Sequence, residues 1–96
     1  MATPLDEDDR ERLTDTHPDW DLRGQELTRT LTFGDFAEAV GFVVRVAIAA
    51  EAADHHPDID IRWNRVTLTL STHSAKALTD RDTGLASTID AMVTDA

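Results

Sequence analysis

The pattern of apolar and polar positions along the chain predicts two β-hairpins. Trp20 and Leu22 alternate with charged residues up to a break at Gly24, and a second alternating segment then runs from Leu27 to Phe33. Threonines occupy the polar positions of that segment, which is typical of the outer face of a half-buried strand. Residues 20–33 are therefore predicted to form two strands joined by a turn.

Residues 58–72 predict the second hairpin, and the pattern also predicts its register. Three apolar residues on each side alternate with polar ones, and we place a two-residue turn at Asn64-Arg65 between them. All the apolar residues then lie on one face, and a shift by one residue would destroy both faces. The predicted apolar pairs are Trp63 with Val66, Ile61 with Leu68 and Ile59 with Leu70.

Helical periodicity is clearest between the two hairpins. The segment from Thr32 to Asp35 has the spacing of a capping box that opens a helix. The helix is expected to end at Asp54 to His56, because the residue before Pro57 is pushed out of the helical region. Alanines on several sides predict close packing against more than one neighbour. The predicted buried stripe consists of Phe36, Val40, Val43, Val44, Ala47 and Ile48.

Two further helices are predicted, one at each end of the chain. A second capping box, from Thr79 to Asp82, opens a closing helix. A weaker helix is expected at Leu5 to Leu13, where acids precede arginines, after a loose tail of residues 1–4. The element order predicts an α+β fold, with a four-stranded antiparallel sheet of two hairpins and two to three helices packed on one face. The buried stripe predicted for the closing helix is Leu85, Ile89, Met92 and Val93.

Length, charge and composition narrow the possible functions. The 96 residues suit one domain, and 19 acidic against 9 basic residues give a net charge of -10, which argues against a nucleic-acid partner. The absence of cysteine excludes a disulfide framework, a thiolate zinc site and a cysteine nucleophile. The sequence contains no apolar run of about 18 residues, so no membrane span is predicted. The first ten residues are acidic and lack the order of a signal peptide, so we expect a cytoplasmic protein.

Three histidines lie where predicted elements end. His55 and His56 lie where the long helix breaks, and His73 follows a strand. Because imidazole titrates near neutral pH and two close rings do not both ionise easily, such a cluster predicts general acid and base chemistry. His17, in a polar loop, is assigned no role.

Simpler interpretations of the same residues remain open. His55 could complement the helix dipole or form a surface ion pair with Glu51 four residues earlier. Asp82 could act only as a capping residue. A catalytic zinc site is a further alternative, but adjacent histidines lack the i, i+4 spacing that directs two rings of one helix at a single ion.

A wider set of residues resembles the signature of the pterin-4a-carbinolamine dehydratases. The set is Glu51-Ala-Ala-Asp54-His55-His56-Pro57, then Trp63, Ser71-Thr72-His73 and Asp82. The likeness extends to Trp20, Phe33-Gly34-Asp35-Phe36, Gly41-Phe42 and the segment after Asp82, so that it covers about residues 20–93. The first segment and the stretch after Pro57, which lacks an aromatic residue, depart from the family pattern.

This resemblance implies a hydro-lyase that converts 4a-hydroxytetrahydropterin to quinonoid dihydropterin and water during tetrahydropterin recycling, with no cofactor and no metal. It implies His55, His56 and His73 as acid and base groups, with His55 and His73 as the proton-transfer pair. Glu51 and Asp82 would hold or tune the histidines. It also implies a homodimer or homotetramer. A pterin-binding or interaction protein with little turnover is the alternative. The implied substrate-binding residues are Asp54, Ser71, Thr72 and Ser74.

Overall fold

The computed structural model describes residues 2–95 and confirms the predicted α+β fold. Four strands form one antiparallel sheet in the order β1-β2-β4-β3, so that the two hairpins meet at β2 and β4. Within the described residues, three helices accompany the sheet. In chain order the elements are α1 (Glu7–Thr16), β1 (Asp21–Arg23), β2 (Glu26–Thr32), α2 (Phe36–Ala53), β3 (Asp58–Arg62), β4 (Arg65–Leu70) and α3 (Asp80–Asp95).

One hydrophobic core joins the sheet to all three helices. The sheet contributes the alternate apolar residues of β2 and β4, while α1 contributes Leu13 and α3 contributes Leu85 and Ile89. Met92 and Val93 pack against this core at its margin, so the stripe predicted for α3 is confirmed. Because all three helices bury side chains in the same cluster, they lie on one face of the sheet, as predicted. The threonines of β2 and β4 occupy the opposite positions of the strands.

The predicted register of the second hairpin is wrong by two residues. The turn lies at Trp63-Asn64, and Ile61 pairs with Val66 while Ile59 pairs with Leu68. A shift of two preserves the face of every side chain, so the alternation alone does not distinguish the two registers. Asn64 decides it: its Nδ2 donates to the carbonyl oxygen of Phe33 at 2.8 Å, and its own carbonyl oxygen accepts from the Phe33 N–H at 2.8 Å.

The start and the buried face of α2 also differ from the prediction. Asp35 is the N-cap, since its Oδ1 accepts from the Glu38 N–H at 2.8 Å, whereas Thr32 is the last residue of β2. The predicted stripe is wrong because α2 is apolar on two sides, so that its periodicity does not identify the core face. Small alanines let α2 approach the sheet closely. The buried residues are Ala39, Phe42, Val46 and Ala50, with Val43 partly buried beside them.

The N-terminal segment is better ordered than predicted. The expected loose tail is wrong for Thr3 and Pro4: the Asp80 N–H donates to the carbonyl oxygen of Thr3 at 3.1 Å, and Pro4 forms a β-bridge with Thr79. Met1 lies outside the described residues. The predicted first helix is present, but Asp6 caps it and it continues to Thr16. These contacts place the start of the chain against the start of α3.

Candidate active site

The end of α2 forms one wall of the candidate site. Asp54 adopts a left-handed conformation, with φ of 51°, and ends the helix, as expected so close to Pro57. The His55 N–H still reaches back to the carbonyl oxygen of Ala50 at 3.1 Å. This bond fixes the two histidines at the point where the chain turns from α2 into β3.

The loop after β4 forms the facing wall. Thr72 and Ala77 form an isolated β-bridge, and the Lys76 N–H donates to the carbonyl oxygen of His73 at 3.1 Å. These bonds fold residues 72–77 into a tight loop that presents His73 and Ser74 at its tip. Both side chains are exposed, as is common for functional groups carried by a loop on a rigid sheet.

His55 belongs to a buried hydrogen-bond network centred on Asp82. The Nε2 of His55 lies 2.6 Å from Asp82 Oδ1, and both side chains are buried. Asp82 Oδ2 accepts from the Thr72 hydroxyl at 2.8 Å and from the Thr79 N–H at 2.9 Å. A buried carboxylate requires such partners. Because a carboxylate accepts, the hydrogen of His55 lies on Nε2, and Nδ1 is the nitrogen left for the cavity.

The same network contains one of the two bonds of the capping box predicted at the start of α3, because the Thr79 hydroxyl accepts from Arg81 and not from the Asp82 N–H. Thr79 is the residue before the helix, and its N–H donates to the Asp82 carboxylate. Its hydroxyl accepts from the Arg81 N–H at 3.2 Å. Asp82 therefore both caps the helix and contacts His55, because its Oδ2 accepts from the Thr79 N–H while its Oδ1 lies against His55.

His56 is held differently, at the rim of the site. Its Nε2 lies 2.6 Å from Glu51 Oε1, and both side chains are exposed. The surface pair considered between Glu51 and His55 is therefore wrong. The helix ends before His55, so the i, i+4 geometry of a helix no longer applies, and Glu51 reaches the following residue instead.

His73 differs from both. Across residues 2–95, no hydrogen bond or ion pair of its ring is found. Both ring nitrogens are therefore available to a ligand in the cavity. The three histidines thus present one buried and oriented ring, one rim ring paired with a carboxylate, and one open ring.

The histidines converge on a cavity of about 380 Å³. All seven residues predicted to be catalytic or substrate-binding line it, whereas Glu51 and Asp82 lie behind the lining and contact histidines. Sequence reasoning missed Pro57, Asp58 and Arg81, which also line the cavity. Arg81 donates to the carbonyl oxygen of Asp54 at 3.4 Å. Its position inside the second capping box, directly before Asp82, was the available signal.

His17, which the sequence left without a role, lies outside this cavity. Its ring is buried at the end of α1, with Nε2 2.9 Å from Ser87 Oγ and Nδ1 2.9 Å from Thr16 Oγ1. It therefore joins α1 to α3. Among the side chains that the structure describes, no three histidines or carboxylates come close enough together to hold a metal ion.

Comparison with known proteins places these features in a wider group. A family model described as "Pterin 4 alpha carbinolamine dehydratase" matches residues 3–92. A protein of Rhodospirillum rubrum assigned by name as a pterin-4-alpha-carbinolamine dehydratase is 45% identical, over 97% of this chain and 99% of its own length. A protein of Nocardia farcinica with the same assignment is 54% identical over 76% of this chain and 77% of its own length.

Solved structures agree with the fold. A transcriptional coactivator/pterin dehydratase from Brucella melitensis superposes with a TM-score of 0.87 and 33% sequence identity, covering 93% of this chain and 97% of that one. A pterin dehydratase-like protein identified as a RuBisCO assembly factor in the alpha-carboxysome superposes with a TM-score of 0.65. At 24% identity, over 79% of this chain and 90% of that one, the second likeness concerns the fold alone.

Proposed function

The chain belongs to the pterin 4 alpha carbinolamine dehydratase family, and on that premise we propose that it dehydrates 4a-hydroxytetrahydropterin to quinonoid dihydropterin and water. The product would return to the tetrahydropterin pool as part of cofactor recycling. The observation that carries the proposal is the convergence of His55, His56 and His73 on one cavity. Its volume of about 380 Å³ lies within the range of small-molecule sites and has room for a bicyclic ring.

The reaction requires one proton to be donated and one to be accepted. The bond between C4a and its hydroxyl breaks, and the hydroxyl leaves as water after receiving a proton from a general acid. A general base removes the proton from N5, and the electron pair left on N5 forms the new double bond to C4a. Protons balance, so acid and base groups near neutral pH supply what the step needs.

The environments of the histidines support a division of roles. His73, whose ring has no partner within the described residues, is free to exchange a proton with the substrate. His55 is oriented by Asp82 through Nε2, which leaves Nδ1 for the substrate. These two form the proposed proton-transfer pair. His56, paired with Glu51 at the rim, orients or assists.

The proposed binding residues divide in the same way. Asp54, Ser71 and Ser74 line the cavity and would hold the pterin ring. The Thr72 hydroxyl is already bonded to Asp82 Oδ2 and lies 2.6 Å from Thr79 Oγ1. We therefore propose that Thr72 positions Asp82 rather than binding substrate through its hydroxyl.

A turnover assay with histidine variants tests this function. The purified protein should accelerate dehydration of 4a-hydroxytetrahydropterin, and His55→Ala and His73→Ala should each lower kcat by about 100-fold or more. His17→Gln, at the histidine outside the cavity, is the control, with thermal melting to verify folding. Absence of turnover, or full activity in both cavity variants, would contradict the proposal. Tight pterin binding with negligible turnover would favour the alternative, a pterin-binding protein.

We also propose that the protein assembles through α2. Three large apolar side chains on this helix are strongly exposed, Phe36 at 54%, Val44 at 52% and Ile48 at 66%. With half-buried Val40 they recur every four residues, which is the spacing of a ridge that packs against another helix. The same helix of a second copy is the partner that this face fits. A homodimer or homotetramer would cover it.

A further inference from the structure

Residues 3–5 lie along the chain at the point where α3 begins. The Leu5 N–H donates to the carbonyl oxygen of Leu78 at 3.0 Å, and the Asp80 N–H donates to the carbonyl oxygen of Thr3 at 3.1 Å. The Thr3 N–H also donates to the Asp80 carboxylate at 2.9 Å. Three hydrogen bonds therefore hold this N-terminal segment, which we call the strap, against the residues that precede and open the helix.

Thr79 lies between these bonds and is directed the other way. Peptide groups alternate in direction along an extended chain, so Leu78 and Asp80 bond to the strap while the Thr79 N–H points to the interior. Thr79 is fully buried, and its N–H donates to Asp82 Oδ2 at 2.9 Å. The Thr72 hydroxyl, 2.6 Å from Thr79 Oγ1, donates to the same Asp82 oxygen at 2.8 Å. One side of this short stretch thus contacts the strap, and the other side orients a carboxylate.

That carboxylate in turn orients a histidine of the candidate active site. Asp82 Oδ1 lies 2.6 Å from His55 Nε2, whereas the strap itself does not line the histidine cavity. A displacement of Thr79 moves a donor of Asp82, and the members of a buried hydrogen-bond network depend on one another for their orientation. A path of hydrogen bonds, with one peptide unit between Thr79 and Asp80, therefore leads from Thr3 to His55.

We propose that the strap is a positioning element for the acid and base chemistry: by holding Thr79 it keeps Asp82, and therefore His55, in the orientation that the reaction uses. The inference rests on the proposed function and adds positioning residues that are remote from the substrate. A strap that only stabilised the fold would change the melting temperature alone. A strap that positions His55 also changes kcat and leaves KM nearly unchanged, because residues 3–5 do not line the cavity.

Two double variants of the full chain test this role. Leu5→Pro with Asp80→Ala removes the N–H that donates to Leu78 and the carboxylate that accepts from Thr3. Leu5→Ala with Asp80→Asn is the matched control, because it also shortens one side chain and removes one charge but keeps that N–H and an oxygen able to accept. We expect kcat of the first variant to lie about tenfold below that of the control, with KM values within about twofold of each other. Thermal melting verifies that both are folded.

The orientation of His55 can also be measured without turnover. The hydrogen on Nε2 of its ring lies in a buried bond to Asp82, so it should give an imidazole N–H signal by NMR that exchanges slowly with water. Loss of this signal in His55→Gln assigns it. The first double variant should exchange this hydrogen about five- to tenfold faster than the control, at a temperature where both are folded.

The outcomes separate this inference from the proposed function. Equal kcat and equal exchange rates in the two double variants would overturn the positioning role, even where the wild type turns over normally. Absence of turnover in the wild type would contradict the proposed function, and the exchange rate would still decide whether the strap orients the ring.

A single substitution repeats the test with one bond removed. If the first double variant does not fold, Asp80→Ala is compared with Asp80→Asn in the otherwise unchanged chain, and kcat should differ by about two- to threefold. Equal values in these two single variants would overturn the inference.

Discussion

At the scale of single residues, the sequence places the three histidines correctly at the ends of elements, and the structure brings them to one cavity. The sequence does not predict which carboxylate each histidine contacts. Glu51 meets His56 because α2 has already ended, and His55 turns inward to Asp82, 27 residues away along the chain. A contact that depends on how two helix ends pack has no local signal. The contact between Thr79 and Asp82 did have a local signal, which is their spacing along the chain, and it was predicted.

Asp82→Asn should separate positioning from binding. The asparagine keeps the size, but it loses the charge-assisted bonds to His55, Thr72 and the Thr79 N–H. We expect kcat to fall about 10- to 100-fold with KM within about threefold, because Asp82 does not line the cavity. Stability should fall by about 1.5–3 kcal/mol.

Steady-state kinetics and urea unfolding measure these two effects. Asp80→Asn makes the same substitution at an exposed position of the same helix turn and serves as the control. If Asp82→Asn raised KM while kcat was retained, Asp82 would bind substrate and the positioning role would be wrong.

At the scale of elements, apolar periodicity predicts which segments are helix or strand better than it predicts how they are offset. The β3–β4 hairpin was predicted with the correct faces for its paired residues and with the wrong turn, because a shift of two residues preserves the alternation. The pairing predicted for Trp63 is wrong, since this residue lies in the turn and is 70% exposed. In α2 the periodicity was equally strong on the buried and the exposed side. At the turn the side chain of Asn64 identifies the register, and at the start of α2 the side chain of Asp35 identifies the first residue of the helix.

Asn64→Ala tests whether this side chain fixes the turn. It would remove the bond from Nδ2 to the half-buried carbonyl of Phe33. We expect the free energy of unfolding to fall by about 1 kcal/mol, the usual worth of one such bond. Urea unfolding measures it, with Arg65→Ala at the exposed neighbouring position as control. Equal effects of the two substitutions would mean that the strand pairs, and not Asn64, determine the register.

The start of α1 should stabilise the fold in a pH-dependent way. The pKa of Asp9 is lowered from its ordinary value of 3.8, chiefly by the hydrogen bond from the Asp6 N–H and then by Arg12. A lowered folded-state pKa contributes stability that is present above 3.8 and is lost as pH falls through the folded value. Asp9→Asn should therefore lower Tm at pH 7, and the difference from wild type should shrink on acidification below 3.8. Thermal melts across pH 2–7 measure this difference in Tm. A difference that stayed constant with pH would contradict the prediction.

At the scale of the whole molecule, the charge is distributed unevenly. The chain carries 19 acidic residues, but α2 carries only Glu38 and Glu51 among its 18. The exposed stripe of α2, which consists of Phe36, Val40, Val44 and Ile48, is therefore apolar. It is also nearly free of the charges that would make two copies repel each other. A domain of 96 residues has a small core, and covering this stripe would add to it. Among the helices of the described residues, none is long and apolar enough to cross a membrane.

Charge placed in the stripe should break the assembly. We expect the wild-type protein to elute with at least twice the 10.6 kDa mass of one chain, and Val44→Asp with Ile48→Asp to shift it to the monomer. Light scattering during size exclusion measures the mass, with Thr88→Asp on the exposed side of α3 as a control that adds charge elsewhere. Since both valine and isoleucine are already exposed in one chain, the monomer should keep its helical circular dichroism. A monomeric wild type, or a mass unchanged by the two substitutions, would show that α2 is not the contact between copies.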